Sequence, residues 1–297
     1  MEQNIMKLPI YQKKVGIKFE VTEAMKRDFE KDGFIIVRNL FSNDEIAKLR
    51  ESLESPESEL MKRTYSDSDG RDGRIRIILW NHPGEDYSGI MGRSERVVET
   101  CKKLLDGEVY HYHGKIILKD AQTGGAFQWH QDYGYWYLFG FLRPDMMSVQ
   151  VAIDDADKTN GTLQIIRGSH KMGRIYHGRI GDQAGADMER VEAALQTMEK
   201  IYVDKKAGDA LFFHCNLLHT SDQNLSDRRR WSYIMCYNRT DNDTFKDHFL
   251  NQSPLIKVPD SAVLECDDFT NMEGKIFHIP EQKKTFSYEY IPKKDDQ

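Results

Sequence analysis

His130, Asp132 and His219 are of the types that hold a metal. Trp129-His130-Gln131-Asp132 reads as part of a strand, and residues two apart on a strand point to one face. An imidazole and a carboxylate would then stand side by side. His219 falls at the rim of a second strand candidate. Two imidazoles and one carboxylate on one face of an octahedral metal leave the opposite positions open, which is the facial ligand set of Fe(II) oxygenases. An oxo-acid cosubstrate and O2 both need those open positions. A His-x-Asp pair alone is a weak signal. With 10 His in the chain, chance supplies one readily, and a lone His on a half-buried strand is more often a hydrogen-bonded structural residue. The pair His111-x-His113 has the same spacing and would suit zinc or copper, but no third ligand stands near it in sequence.

Arg230 sharpens the signal. It follows His219 past a turn and opens the apolar run Trp231–Tyr237. An arginine at the start of a buried strand is costly unless it meets an anion. Its planar fork matches a carboxylate bidentately, as would be needed to hold the far carboxylate of 2-oxoglutarate. On the bland reading, Arg228, Arg229 and Arg230 are a solvated charge run. Strand alternation gives that role to Arg229 and turns Arg230 inward. Tyr133, Tyr135, Trp136, Tyr137 and Phe139 follow the metal motif directly. Such aromatics pack an apolar group or hold a cationic amine, although core packing accounts for many of them. Tyr133 and Trp136 are the pocket candidates. Arg143 would suit an acidic substrate group, but a loop arginine is more often solvated.

These residues need a scaffold, and the period changes to strands from about Val109. Candidates lie near 109–119, 126–132, 147–154, 162–167, 200–204, 210–214, 217–222 and 230–238. Turn signals such as Thr123-Gly124-Gly125, Asn160-Gly161 and Gly208-Asp209 separate them. One helical insert is expected at about 186–199. So many short strands suggest a sandwich or small barrel, mainly β with flanking α-helices. Helices come first. Thr22 caps a helix carrying Met25 and Phe29, Gly33 stops it, and Phe34-Ile35-Ile36-Val37 reads as a buried strand. Ser42-Asn43-Asp44-Glu45 opens a second helix with the stripe Ile46, Leu49 and Leu53. Residues 55–74 are polar and read as a mobile surface loop. The EF-hand spacing is missing there.

The stretches FQWHQDYGYW, NGTLQIIRGSHK and GDALFFHCNLLHTSDQNLSDRRR together resemble the phytanoyl-CoA dioxygenase family. That family consists of 2-oxoglutarate/Fe(II) enzymes and includes the ectoine hydroxylases. FEKDGFIIVRNLFSNDEIAKLR resembles the family's opening, and the likeness spans roughly residues 28–240. It implies a double-stranded β-helix (jelly-roll, cupin-like) with iron at one mouth, and Fe(II), 2-oxoglutarate and O2 as cofactors. By this resemblance His130, Asp132 and His219 fall on the metal-ligand positions. Arg230 falls on the position that salt-bridges the cosubstrate's C5 carboxylate, and Ser221 on its hydroxyl partner. His113 falls where several members carry a Gln touching the cosubstrate. Gln150 falls on a variable pocket-lining position, and Lys119 matches a common Lys of unassigned contact. Halogenating relatives typically lose the carboxylate that Asp132 retains here, so hydroxylation is implied.

The wider composition bounds this reading. The chain has 297 residues and a net charge of -6. That length suits one oxygenase domain over 1–297, with a helical part at about 21–108, a β core at about 109–240 and a C-terminal extension at 241–297. The charge lacks the basic footprint of a nucleic-acid binder. The 4 cysteines are scattered, as suits a reducing compartment. MEQNIMKLPI has no secretory pattern, and no apolar run reaches membrane-span length. A cytoplasmic enzyme with a small-molecule substrate and no membrane partner is the expectation, and nothing in the sequence sets an oligomeric state. An acyl-CoA substrate is disfavoured by the acidic charge and the lack of a peroxisomal ending. A non-catalytic binder of iron and 2-oxoglutarate, and a zinc hydrolase lacking any H-E-x-x-H, are the other classes weighed.

Overall fold

Caps and apolar periods set the first elements. The computed structural model describes residues 7–70, 73–180, 183–246 and 255–278. Thr22 caps helix Glu23–Asp32, which ends on Gly33 at a left-handed φ of 83°. Glycine takes that conformation without a Cβ penalty. Ser42 and Glu45 form a capping box on helix Asn43–Glu54. The Glu45 carboxylate also accepts from Arg96 at 2.7 and 2.9 Å. One residue thus both caps a helix and ties it to helix Glu95–Leu105.

Two sheets face each other. The larger has nine strands, in the order Ile10–Gln12, Phe34–Arg38, Ala210–His214, Met146–Ala152, Arg230–Arg239, Val109–Lys119, Arg74–Asn81 and Ile276–Phe277, with Tyr65–Ser68 paired to Arg74–Asn81. The smaller has four, in the order Lys200–Tyr202, Leu163–Ile166, His219–Ser221 and Phe127–His130. From Val109 onward the chain winds repeatedly between the two, which makes the double-stranded β-helix. Period-2 alternation gives the large sheet two different faces. Ile116, Leu118, Val149, Val151, Tyr233 and Met235 join the core that contains the helical residues Phe29, Ile46, Leu49, Leu53, Met91 and Val97. Each such buried side chain contributes about 1.5–3 kcal/mol. Lys115, Ile117, Gln150, Arg230 and Ile234 instead line a cleft between the sheets.

All eight strand ranges expected from the sequence contain a strand, and helix Met188–Thr197 fills the expected insert. One expectation is corrected, and two features were not foreseen. Residues 55–74 are not a loop throughout, because Tyr65–Ser68 pairs in register with Arg74–Ile77 and Asp69 is fully buried. Within 21–108 the expected strand at Phe34–Val37 is present as Phe34–Arg38, and it is joined in the large sheet by Arg74–Asn81, which was not foreseen. The hairpin His177–Ile180 with Gln183–Ala186 was not foreseen. Among the described residues no helix is long and apolar enough to cross a membrane.

Candidate metal centre and cleft

The strand that brings His130 stops there. His130 pairs with His219 across the small sheet, and Asp132 is the first residue of the short helix Asp132–Trp136. Asp132 therefore reaches the site from a turn and not by strand alternation. Gln131 shapes this turn. Its fully buried amide donates to the Gly173 and Asn216 carbonyls at 2.7 and 2.8 Å and accepts from Ile175 N at 2.8 Å. Its backbone N–H donates to His177 Nε2 at 2.8 Å. The middle residue of the motif thus anchors it to the loop that precedes His219.

The ligand-type atoms of His130, Asp132 and His219 all lie within 4.8 Å of one another, and all three residues are buried. Asp132 Oδ1 stands 3.8 Å from each Nε2. His130 Nδ1 donates to the Gln128 carbonyl at 2.7 Å and His219 Nδ1 to the Leu217 carbonyl at 2.9 Å. A carbonyl accepts only from a protonated Nδ1, so each Nε2 keeps its lone pair for a metal. Burial drives both imidazoles toward the neutral form. Burial would also raise the Asp132 carboxyl, but any positive charge on His219 or His130, together with Lys115 and the Ser148 hydroxyl, opposes it and holds the group below the ordinary carboxylate range. Two neutral imidazoles and one carboxylate fit a divalent cation.

The cleft beside this triad is narrow, with about 30 Å³ of free room behind its open mouth. Phe127, Leu163 and Phe213 give it apolar walls. Arg230 lines it and is 2% exposed. Its Nε is buried with no acceptor, and no side chain or carbonyl among the described residues is hydrogen-bonded to its guanidinium. Burial alone pulls it down to about 10. An orphaned guanidinium aimed into a cleft fits an anionic guest. Ser221 also lines the cleft, and its Oγ accepts from Lys119 Nζ at 2.8 Å, which leaves its own proton to donate. Lys119 Nζ is further held by the Asp222 carbonyl at 2.6 Å. Gln150 lines the cleft with its Oε1 accepting from Lys205 Nζ at 2.8 Å.

Other expected residues lie elsewhere. His113 is buried against Tyr112 and Trp136, off the cleft wall. Trp136 and Tyr133 belong to the same apolar cluster, and the Tyr133 hydroxyl is spent on the Phe141 carbonyl at 2.8 Å. His111 packs edge-on against Tyr237. Arg143 pairs with Asp145 on the surface. Arg229 turns outward to Asp154 and Glu54. Ser148 and Lys115 were not singled out by the sequence, Gln131 was noted only as the middle of the motif, and Tyr135 only among the aromatics that follow it. Tyr135 and Ser148 donate to the two Asp132 oxygens at 2.7 and 2.6 Å. Ser148 shares its strand face with Gln150, and Lys115 shares its face with Ile117, but nothing local in the sequence says what they meet.

Comparison with known proteins agrees with this geometry. A family model described as phytanoyl-CoA dioxygenase matches residues 29–232. The chain is 26% identical over 236 residues to an ectoine dioxygenase of Bordetella bronchiseptica, covering 73% of this chain and 75% of that protein. It is 26% identical over 232 residues to an L-proline trans-4-hydroxylase of Streptomyces griseoviridis, covering 72% and 85%. A crystal structure of EctD from S. alaskensis with 2-oxoglutarate and 5-hydroxyectoine superposes with a TM-score of 0.68 at 22% identity, over 80% of this chain and 88% of that one. That last likeness establishes a shared fold.

Proposed function

This chain belongs to the phytanoyl-CoA dioxygenase family and so to the Fe(II)- and 2-oxoglutarate-dependent oxygenases, and we propose that it hydroxylates a small metabolite in the cleft beside His130, Asp132 and His219. The observation that carries this reading is Arg230, a buried guanidinium without a partner in the same cleft as three metal-type ligands. A metal alone would not call for it, whereas a dicarboxylate cosubstrate does.

In this reading His130 and His219 ligate through Nε2 and Asp132 through Oδ1. Bound Fe(II) with 2-oxoglutarate and O2 supplies the oxidation, turning the oxo acid into succinate and CO2. Arg230 grips the cosubstrate's far carboxylate by its fork, and the Ser221 hydroxyl adds a donor held in place by Lys119. Gln150, fixed by Lys205, offers its amide N–H to the cleft. Ile117, Phe127, Leu163, Phe213 and Ile234 exclude water from the reacting atoms. The cleft is narrow, with only about 30 Å³ of free room, well below the several hundred Å³ of a site that encloses a large ligand. A compact metabolite fits it better than an acyl-CoA. The relatives named for ectoine and L-proline point the same way.

Anaerobic addition of Fe(II) and 2-oxoglutarate should produce a weak visible charge-transfer band, followed by succinate release in air with a substrate from a metabolite library. Tight zinc binding with no such band would sink the assignment. A band with no succinate release across the library would favour a binding-only protein.

A further inference from the structure

The cleft holds one cation that the reading above does not use. Lys115 lies on strand Val109–Lys119 and lines the cleft with its neighbours in alternation, Ile117, and in register, Ile234. Next along the strand in one direction is the row His113–Cys236–Ser148, and Ser148 supports the Asp132 carboxylate. In the other direction, Lys119 is in register with Arg230. At the rise of a strand, Lys115 is about 7 Å from the first row and about 13 Å from the second. It thus belongs to the metal side of the cleft and not to the end where Arg230 and Ser221 meet.

The two buried lysines around the cleft are engaged, Lys119 on Ser221 and Asp222 and Lys205 on Gln150, whereas Lys115 is half-buried at the cleft wall. Lys115 has no hydrogen-bond acceptor and no carboxylate partner among the described residues. Its charge is felt at Asp132, His130 and His219. The charge count leaves it over. A divalent cation, the Asp132 carboxylate, a dianionic oxo acid and Arg230 sum to zero. Closing a guest over a further unpaired ammonium is costly unless the guest brings an anion.

We propose that Lys115 is the specificity-determining residue of this cleft and that the substrate carries a carboxylate which pairs with its ammonium on the metal side. The proposal rests on the iron and 2-oxoglutarate reading. A single ammonium among Ile117, Phe127, Phe213 and Ile234 suits a monoanionic carboxylate on a small, largely apolar skeleton. A phosphate takes several converging donors, whereas Arg230 and Ser221 serve the cosubstrate's end and only the Gln150 amide, two strands over in the same row, stands near Lys115.

The test is calorimetric binding to the full chain loaded anaerobically with Fe(II) and 2-oxoglutarate. The probes are the common L-amino acids and other small carboxylic acids, each matched with its neutral amide. Acids that bind should do so at least about tenfold better than their amides, as the loss of one charge-assisted hydrogen bond requires. Lys115→Met should abolish that preference and leave 2-oxoglutarate affinity unchanged. Lys115→Gln serves the same purpose should the Met variant not fold, and Lys115→Arg should keep the preference. The proposal is overturned if no acid binds, if amides bind as well as acids, or if the preference survives in Lys115→Met. It is also overturned if that variant loses 2-oxoglutarate, since the lysine would then serve the cosubstrate. A wild-type chain that binds no 2-oxoglutarate would instead strike the parent reading.

Discussion

The Ser148 hydroxyl donates to Asp132 Oδ2 at 2.6 Å, and the other oxygen of that carboxylate faces both imidazoles at 3.8 Å. Ser148 comes from the large sheet, and Asp132 from the turn that leaves the small one. The contact therefore fixes the carboxylate plane across the cleft. Ser148→Ala should leave Oδ2 short of a donor and lower divalent-metal affinity about 10–100-fold. Anaerobic Fe(II) or Co(II) titration reads this directly. Unchanged affinity would mean that Tyr135 alone orients Asp132.

Arg230 predicts opposite effects in the empty and loaded protein. Its guanidinium is buried without a counter-ion, so it destabilises the ligand-free fold. Arg230→Met should raise the melting temperature of metal-free protein, in line with the roughly 1–4 kcal/mol gained when buried charge gives way to apolar packing. The same variant should lose the stabilisation that 2-oxoglutarate confers on the metal-loaded wild type. Thermal melts with and without the oxo acid separate the two effects. A variant less stable than wild type in both states would show that Arg230 is a structural residue.

Much of this was legible in the sequence because it follows from local rules. Thr22, Gly33 and Ser42 announce helix ends by cap chemistry, and Ile116, Leu118, Val149 and Val151 announce core faces by period 2. His130, His219 and Arg230 stand at strand ends that alternation could place. Asp132 was given to the wrong element because a turn and a strand both put residue i+2 near residue i. What fixes the turn is the Gln131 amide, whose partners Gly173, Ile175 and Asn216 lie far away in sequence. The strand Arg74–Asn81 did carry a signal, the alternation Arg74-Ile75-Arg76-Ile77, lost beside the polar text before it. Tyr133 and Trp136 look like a pocket wall by proximity, but helical geometry turns them into the core. Lys115 is invisible as a functional residue until the cleft shows that it lacks a partner.

Gly134 and His177 make a second test of the turn. A Cβ on Gly134 would overlap the His177 ring. That ring is buried and held by Gln131 N and the Ile175 carbonyl, so it has no cheap way to move. Gly134→Ala should cost about 1–3 kcal/mol of stability by overpacking and weaken metal binding, because the push falls on the residues between His130 and Asp132. Denaturant unfolding and metal titration check it. Wild-type values for both would show that the turn tolerates displacement.

Lys205 should give the fold a pH dependence of definite sign. Desolvation drives its ammonium from an ordinary value of 10.5 down to about 7, with Arg230 adding to the fall and Asp209 opposing it. Below pH 7 the lysine is protonated in both the folded and unfolded chain, and the folded state bears the full cost of a buried charge. Between about 7 and 10.5 the folded chain releases the proton first, so the unfolded chain binds more protons and stability rises with pH. Lys205→Met removes the group that titrates. Its advantage over wild type should therefore be largest below pH 7 and shrink by up to about 1.4 kcal/mol per pH unit above it. The cost of leaving the Gln150 amide oxygen without its donor is the same at every pH and cancels from that slope. Denaturant unfolding of both proteins from pH 6 to pH 10 measures the difference. A constant offset would mean that Lys205 stays charged throughout, held by Gln150 and the Asp209 carboxylate.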